Sequence, residues 1–106
     1  MRYIIGRLNP RGLPNEALIE VQRLSPERAM RWAHTQNPHN WMRRSDTCAE
    51  YSRSLAPLQT TSHGNSKLIQ LQPGDEALIL TPTQRGAIRS ATEIEFTLMR
   101  VREISI

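Results

Sequence analysis

Three short stretches of this sequence carry residues that could do chemistry together. Arg43-Arg44 stands immediately before Ser45-Asp46-Thr47, Gln84-Arg85 follows an apolar run, and Arg7 adjoins Gly6 in a turn-rich segment. A guanidinium offers a planar fork of donors that meets phosphate oxygens two at a time, where lysine offers a point charge. Hydroxyl and acidic residues ahead of a helical spacing mark a helix start, whose free N–H groups attract anions. An ordinary capped helix with solvated arginines fits that segment equally. A Gly-containing loop at a strand's carboxyl end is where open α/β sheets place ligands, although a plain surface connection reads the same way. Trp41, two residues from Arg43, offers a ring that stacks on a base or simply fills a core.

Charge composition supports an anionic ligand without proving one. Lysine and arginine total 14 against 10 acidic residues, a net charge of +4, and every basic residue except Lys67 is arginine. An arginine bias also follows from GC-rich codons. Like charges form no long run, which counts against a polybasic nucleic-acid binder. The histidines His34, His39 and His63 are the available proton donors near neutral pH. His39 is the best placed of them, because its loop leads toward the second helix start. Cys48 is alone, no Cys/His spacing resembles a zinc site, and no P-loop or dinucleotide fingerprint appears. We therefore expect neither metal nor cofactor. The apolar run Tyr3-Ile4-Ile5 is too short for a signal peptide or a membrane span, so a cytoplasmic protein is expected.

The elements that must position these residues can be read from periodicity. Residues 1–5 predict a short buried strand, and residues 6–15 a loop. Residues 18–24 alternate Ile19 and Val21 against Glu20 and Gln22, the period of a half-buried strand. Ser25-Pro26-Glu27 then opens a helix to about His34, with Ala29, Met30 and Ala33 inward. Ser45-Asp46-Thr47 caps a second helix that Pro57 stops. Residues 67–71, the turn Pro73-Gly74-Asp75 and residues 77–80 predict a hairpin into a central strand. Ser90 and Glu93 have capping-box spacing for one helical turn, and alternation from Ile94 predicts a last strand ending near Val101 or Glu103. The order implies one α/β domain over residues 1–106, a mixed β-sheet with helices packed on it. A core this small favours completion by a second copy, so a symmetric homodimer is expected.

The stretch Leu71-Gln72-Pro73-Gly74-Asp75-Glu76-Ala77-Leu78-Ile79-Leu80, followed by Thr83-Gln84-Arg85 and Ser90-Ala91-Thr92-Glu93-Ile94, resembles a family of small α/β proteins. These are the viral anti-CRISPR ring nucleases of archaeal viruses and their bacterial relatives, which bind and cleave cyclic tetra-adenylate, the second messenger of type III CRISPR defence. The resemblance implies a dimer with the ligand lying across the two-fold axis. It also implies a catalytic histidine just before the acidic residue that starts the second helix. Here that position holds Ser45, or Arg44 if the match slips by one. The family's Gln-Arg survives as Gln84 and Arg85, but the residues that follow, including a glutamate linked to catalysis, are missing before Gly86. A serine is no acid near neutral pH, and arginine does not give up its proton.

The expectation is therefore an anti-defence protein that binds a cyclic nucleotide and sequesters it uncut, by mass action. Arg44 and Arg85 would clasp phosphate, Ser45 and Thr47 would add hydroxyl contacts, and Gln84 would bond ribose or base, with Arg7 and Trp41 beside them. Two rivals remain open: a metal-free ring nuclease using His39 or a substrate-assisted route, and a basic DNA- or RNA-binding accessory protein. The latter would show steep salt dependence on generic nucleic acid.

Overall fold

The computed structural model describes residues 1–43, 45–56 and 69–103. Five strands form one sheet: β1 (Arg2–Ile5), β2 (Leu18–Leu24), β3 (His39–Asn40), β4 (Glu76–Pro82) and β5 (Ile94–Arg102), in the spatial order β2-β5-β4-β1-β3. β1 pairs in parallel with both β3 and β4, whereas β5 is antiparallel to β4 and β2. All strands but β5 therefore point the same way. Helices α1 (Pro26–Gln36) and α2 (Ala49–Leu55) lie on one face. The mixed α/β sheet is the one the sequence implied.

Alternation along the strands builds two cores. Ile4, Leu78, Leu80, Phe96 and Leu98 meet Ala29, Ala33 and Leu55 of the helices. Their neighbours in register, Tyr3, Ile5, Ala77, Met99 and Val101, point to the other face and meet Leu8, Leu13 and Leu71 from connecting segments. Among the described residues the second face is thus covered by connecting segments, one of them holding the 3-10 turn Pro10–Gly12, rather than by α-helices. Gly12 lies so close under this cover that a Cβ there would sit 2.3 Å from the Ile69 carbonyl oxygen.

α1 starts as its sequence dictates. The Ser25 hydroxyl accepts from the Arg28 N–H at 3.3 Å, Pro26 takes the first turn, and Glu27 faces the positive helix end. It continues past His34 to Gln36, where Asn37 closes it in the left-handed conformation at φ 48°. Its inward face is Ala29 and Ala33; Met30 is 39% exposed, against expectation.

Other differences have physical causes. β2 is a strand but not half-buried: Ile19 is 38% and Val21 63% exposed, because it is the sheet's edge and no described helix or loop covers it. Residues 69–71 form no strand and no hairpin. The Leu71 N–H donates instead to the Gly12 carbonyl at 2.7 Å, and the Gly74 N–H reaches the Val101 carbonyl at 2.7 Å, tying this segment onto the second face. Residues 67 and 68 lie outside the described residues. β3, with only two residues and no alternation to betray it, was not expected. Ser45-Asp46-Thr47 does not cap α2, whose N-cap is Cys48 without a side-chain hydrogen bond. The 3-10 turn Ala91–Glu93 is present, but Ser90 makes no capping bond; Glu93 accepts from the Arg89 N–H and Ser90 shares a bond with Thr92.

Candidate anion-binding pocket

The chain leaves the carboxyl ends of β1 and β3, which are parallel neighbours, toward opposite faces. After Ile5 it turns at Gly6 onto the loop-covered face, and after Asn40 it runs through residues 41–48 to α2 on the helical face. Divergence of this kind opens a crevice between the two strand ends, the position where open α/β sheets receive ligands. A cavity of about 560 Å³ occupies it. That lies inside the ~300–1,000 Å³ range of small-molecule sites.

Both connections supply polar groups. Arg7 and Asn9 come from the first, and Arg43, Ser45, Asp46 and Thr47 from the second. Ile5, Met42, Ile69, Leu80 and Pro82 supply the apolar part of the wall. Trp41 lines the cavity too, and its N–H donates to the Ile4 carbonyl at 2.8 Å. Its ring stands edge-on to Tyr3, 6.1 Å between centroids and 81° between planes.

Beneath this loop, Asn40 is fully buried and fully used. Its amide nitrogen donates to the Ser52 hydroxyl at 2.9 Å and the Ala56 carbonyl at 3.3 Å, while its oxygen accepts from the Met42 N–H at 3.0 Å. One side chain thereby fixes α2 and the loop start to the sheet, which an apolar residue could not do. The loop closes on itself: Asp46 Oδ2 accepts from the Arg43 N–H at 2.9 Å, and the Asp46 N–H donates to the Arg43 carbonyl at 3.0 Å. The Cys48 thiol at the cavity floor is pushed up from its ordinary pKa by burial first and by the Asp46 charge second, so it stays protonated.

Four of the described arginines are held in ion pairs. Near the amino ends of β1 and β4, Arg2 and Arg100 both hold Glu76, at 3.0 and 2.6 Å, and Arg102 holds Glu20 at 3.0 Å. Arg23 pairs with Glu95. Arg7 and Arg43 are exposed and form no ion pair with a described residue, so their charge is available to a ligand.

Four residues that the sequence reading gave to the ligand therefore share one cavity, Arg7, Trp41, Ser45 and Thr47, together with the flanking Arg43 and Asp46. Gln84 and Arg85 do not line it; they stand exposed in the bend immediately after Pro82. Arg44 and His63 lie outside the described residues. His39 is half-buried on β3 with its ring 6.0 Å from that of Tyr3, and it does not line the cavity; His34 is exposed near the end of α1. Sequence reading passed over Asn9 and the role of Asp46 as wall. Asn9 had a signal, since Asn before Pro10 favours the turn in which its side chain accepts from the Arg11 N–H at 3.0 Å. Among the described residues no cluster of His, Cys, Asp and Glu could hold a metal, and no helix is long and apolar enough to cross a membrane.

No protein-family model matches the chain, and no curated protein matches it. Among the solved structures similar to it is B116 of Sulfolobus turreted icosahedral virus. The two share 18% sequence identity at a TM-score of 0.67, over 93% of this chain and 97% of that one. The likeness establishes the fold. It places that fold in an archaeal virus protein of nearly the same extent.

Proposed function

We propose that this chain is an anti-defence protein that captures a cyclic oligonucleotide second messenger at the carboxyl end of its sheet and holds it uncut. The observation that carries the reading is the meeting of Arg7, Arg43, Ser45 and Thr47 with the Trp41 ring in one crevice. Unpaired guanidinium groups and hydroxyls suit phosphate and ribose, and an indole suits a base. Gln84 and Arg85 follow the lining residue Pro82 in sequence and would take part only with a ligand that extends past the cavity. The occurrence of this fold in an archaeal virus protein is in keeping with a viral setting.

Sequestration is favoured over cleavage by the wall's chemistry. Opening a phosphodiester ring by its own 2′-hydroxyl needs an acid for the leaving oxygen. Ser45 occupies the position that the resemblance gives to that acid, and it lines the cavity as a hydroxyl donor. The test is to incubate protein with an excess of cyclic di-, tri- or tetra-adenylate in turn, denature it by heat and weigh the released nucleotide by mass spectrometry. Intact ring in stoichiometric amount is expected. Linear product accumulating over many turnovers would establish a ring nuclease, and no retained nucleotide of any ring size would sink the reading.

A further inference from the structure

We infer that Asp46, a carboxylate in the wall of a cavity otherwise suited to anions, is the positioning residue of that cavity, acting through its acceptor oxygen and against its own charge. Three observations meet on it. Its Oδ2 holds the Arg43 N–H at 2.9 Å and its own N–H holds the Arg43 carbonyl at 3.0 Å, so one residue closes the turn that presents Arg43 and Ser45. Its carbonyl accepts from the Ala49 N–H at 3.0 Å, joining the turn to α2. From the far side of the crevice, Gly6 leaves the carboxylate its room: a Cβ at residue 6 would lie 2.7 Å from Asp46 Oδ2 and 2.8 Å from its Cγ.

The carboxylate is thus packed between the two connections that form the cavity, bonded to Arg43 on one and against Gly6, the neighbour of Arg7, on the other. Its negative charge works against an anion at the same site. The two contributions are separable because asparagine keeps an acceptor oxygen and loses the charge. This inference rests on the proposed anion site for its affinity readout, but its structural half does not.

The first measurement needs no ligand: amide hydrogen exchange at the Arg43 N–H, followed by NMR. Protection is expected in wild type and D46N and lost in D46A. Equal protection in D46A would overturn the positioning role, even if the nucleotide reading stands. The second is affinity for cyclic tetra-adenylate. D46A should weaken it about tenfold or more, the loss of a preorganised charge-assisted bond, and D46N should tighten it. Gly6→Ala should weaken it as D46A does, and the double variant should lose less than the sum of the two, since removing the carboxylate removes the closer collision and leaves only the approach to Met42 Sδ at 3.0 Å. Additive losses, or a D46N variant as weak as D46A, would overturn the inference. If wild type binds no cyclic nucleotide, the functional reading fails and the exchange result still decides Asp46.

Discussion

At the scale of single residues, the proposed site rests on unpaired cations. Arg7 and Arg43 reach the cavity from separate connections and have no described carboxylate partner. Replacing either by alanine should cost on the order of 1.5–3 kcal/mol of nucleotide affinity with little change in melting temperature, because each side chain is exposed. Calorimetric titration beside a melt separates the two effects. Arg85→Ala tests the rim: the same loss is expected if the ligand extends past Pro82, and unchanged affinity would confine the site to the crevice. Much of this was legible beforehand. Arginine beside glycine after a strand, and a hydroxyl-rich segment before a helix, drew attention to Arg7, Ser45 and Thr47, and all three line the crevice. Asp46 was legible as a turn-former but not as a wall. Its place depends on Gly6, 40 residues away in sequence and in contact only once β1 and β3 are paired.

At the scale of elements, the strands were readable where alternation or length gave a period, and α1 was readable from its cap. What escaped was set by tertiary pairing. β3 is a strand only because β1 offers it an edge, and residues 69–71 lose their hairpin to a hydrogen bond with Gly12. The ladder β1-β4-β5 is further held at one end by Glu76, which takes Arg2 from one neighbour and Arg100 from the other. Burial raises the Glu76 pKa, but the hydrogen bonds from Arg100 and Arg2 outweigh it, and the net shift is downward. A carboxyl with a depressed folded pKa stabilises above its unfolded value of about 4.3, and that contribution fades as pH falls through the folded pKa. Glu76→Gln should therefore cost roughly 1–3 kcal/mol at neutral pH. The gap to wild type should close below about pH 4. Denaturant melts at several pH values check this, and a gap independent of pH would assign the loss to packing instead.

At the scale of the whole molecule, the direction of the strands limits how two copies could pair. β2 exposes Leu18, Ile19 and Val21, and an exposed apolar edge invites a second copy. Antiparallel pairing of two β2 edges would place the two crevices at opposite ends, one per protomer. A crevice shared across the axis needs the copies packed by their faces instead. Light scattering should give a dimer at micromolar concentration, and Val21→Lys should return it to monomer if the edge is the contact. Nucleotide stoichiometry then distinguishes one ligand per chain from one per pair. A last consequence follows from β1, the strand at whose end the crevice opens. It pairs with β4 across 74 residues, and the Arg2–Glu76 bond spans the same separation. Closing so long a loop is entropically costly before any contact offsets it, so chains dominated by such pairings fold slowly. The hairpin-like β4-β5 pair can form early, but the carboxyl ends that make the crevice come together only when β1 inserts beside it. Nucleotide capture would thus arise late in folding, and a chain stalled before that step would keep much of its sheet and have no crevice to fill.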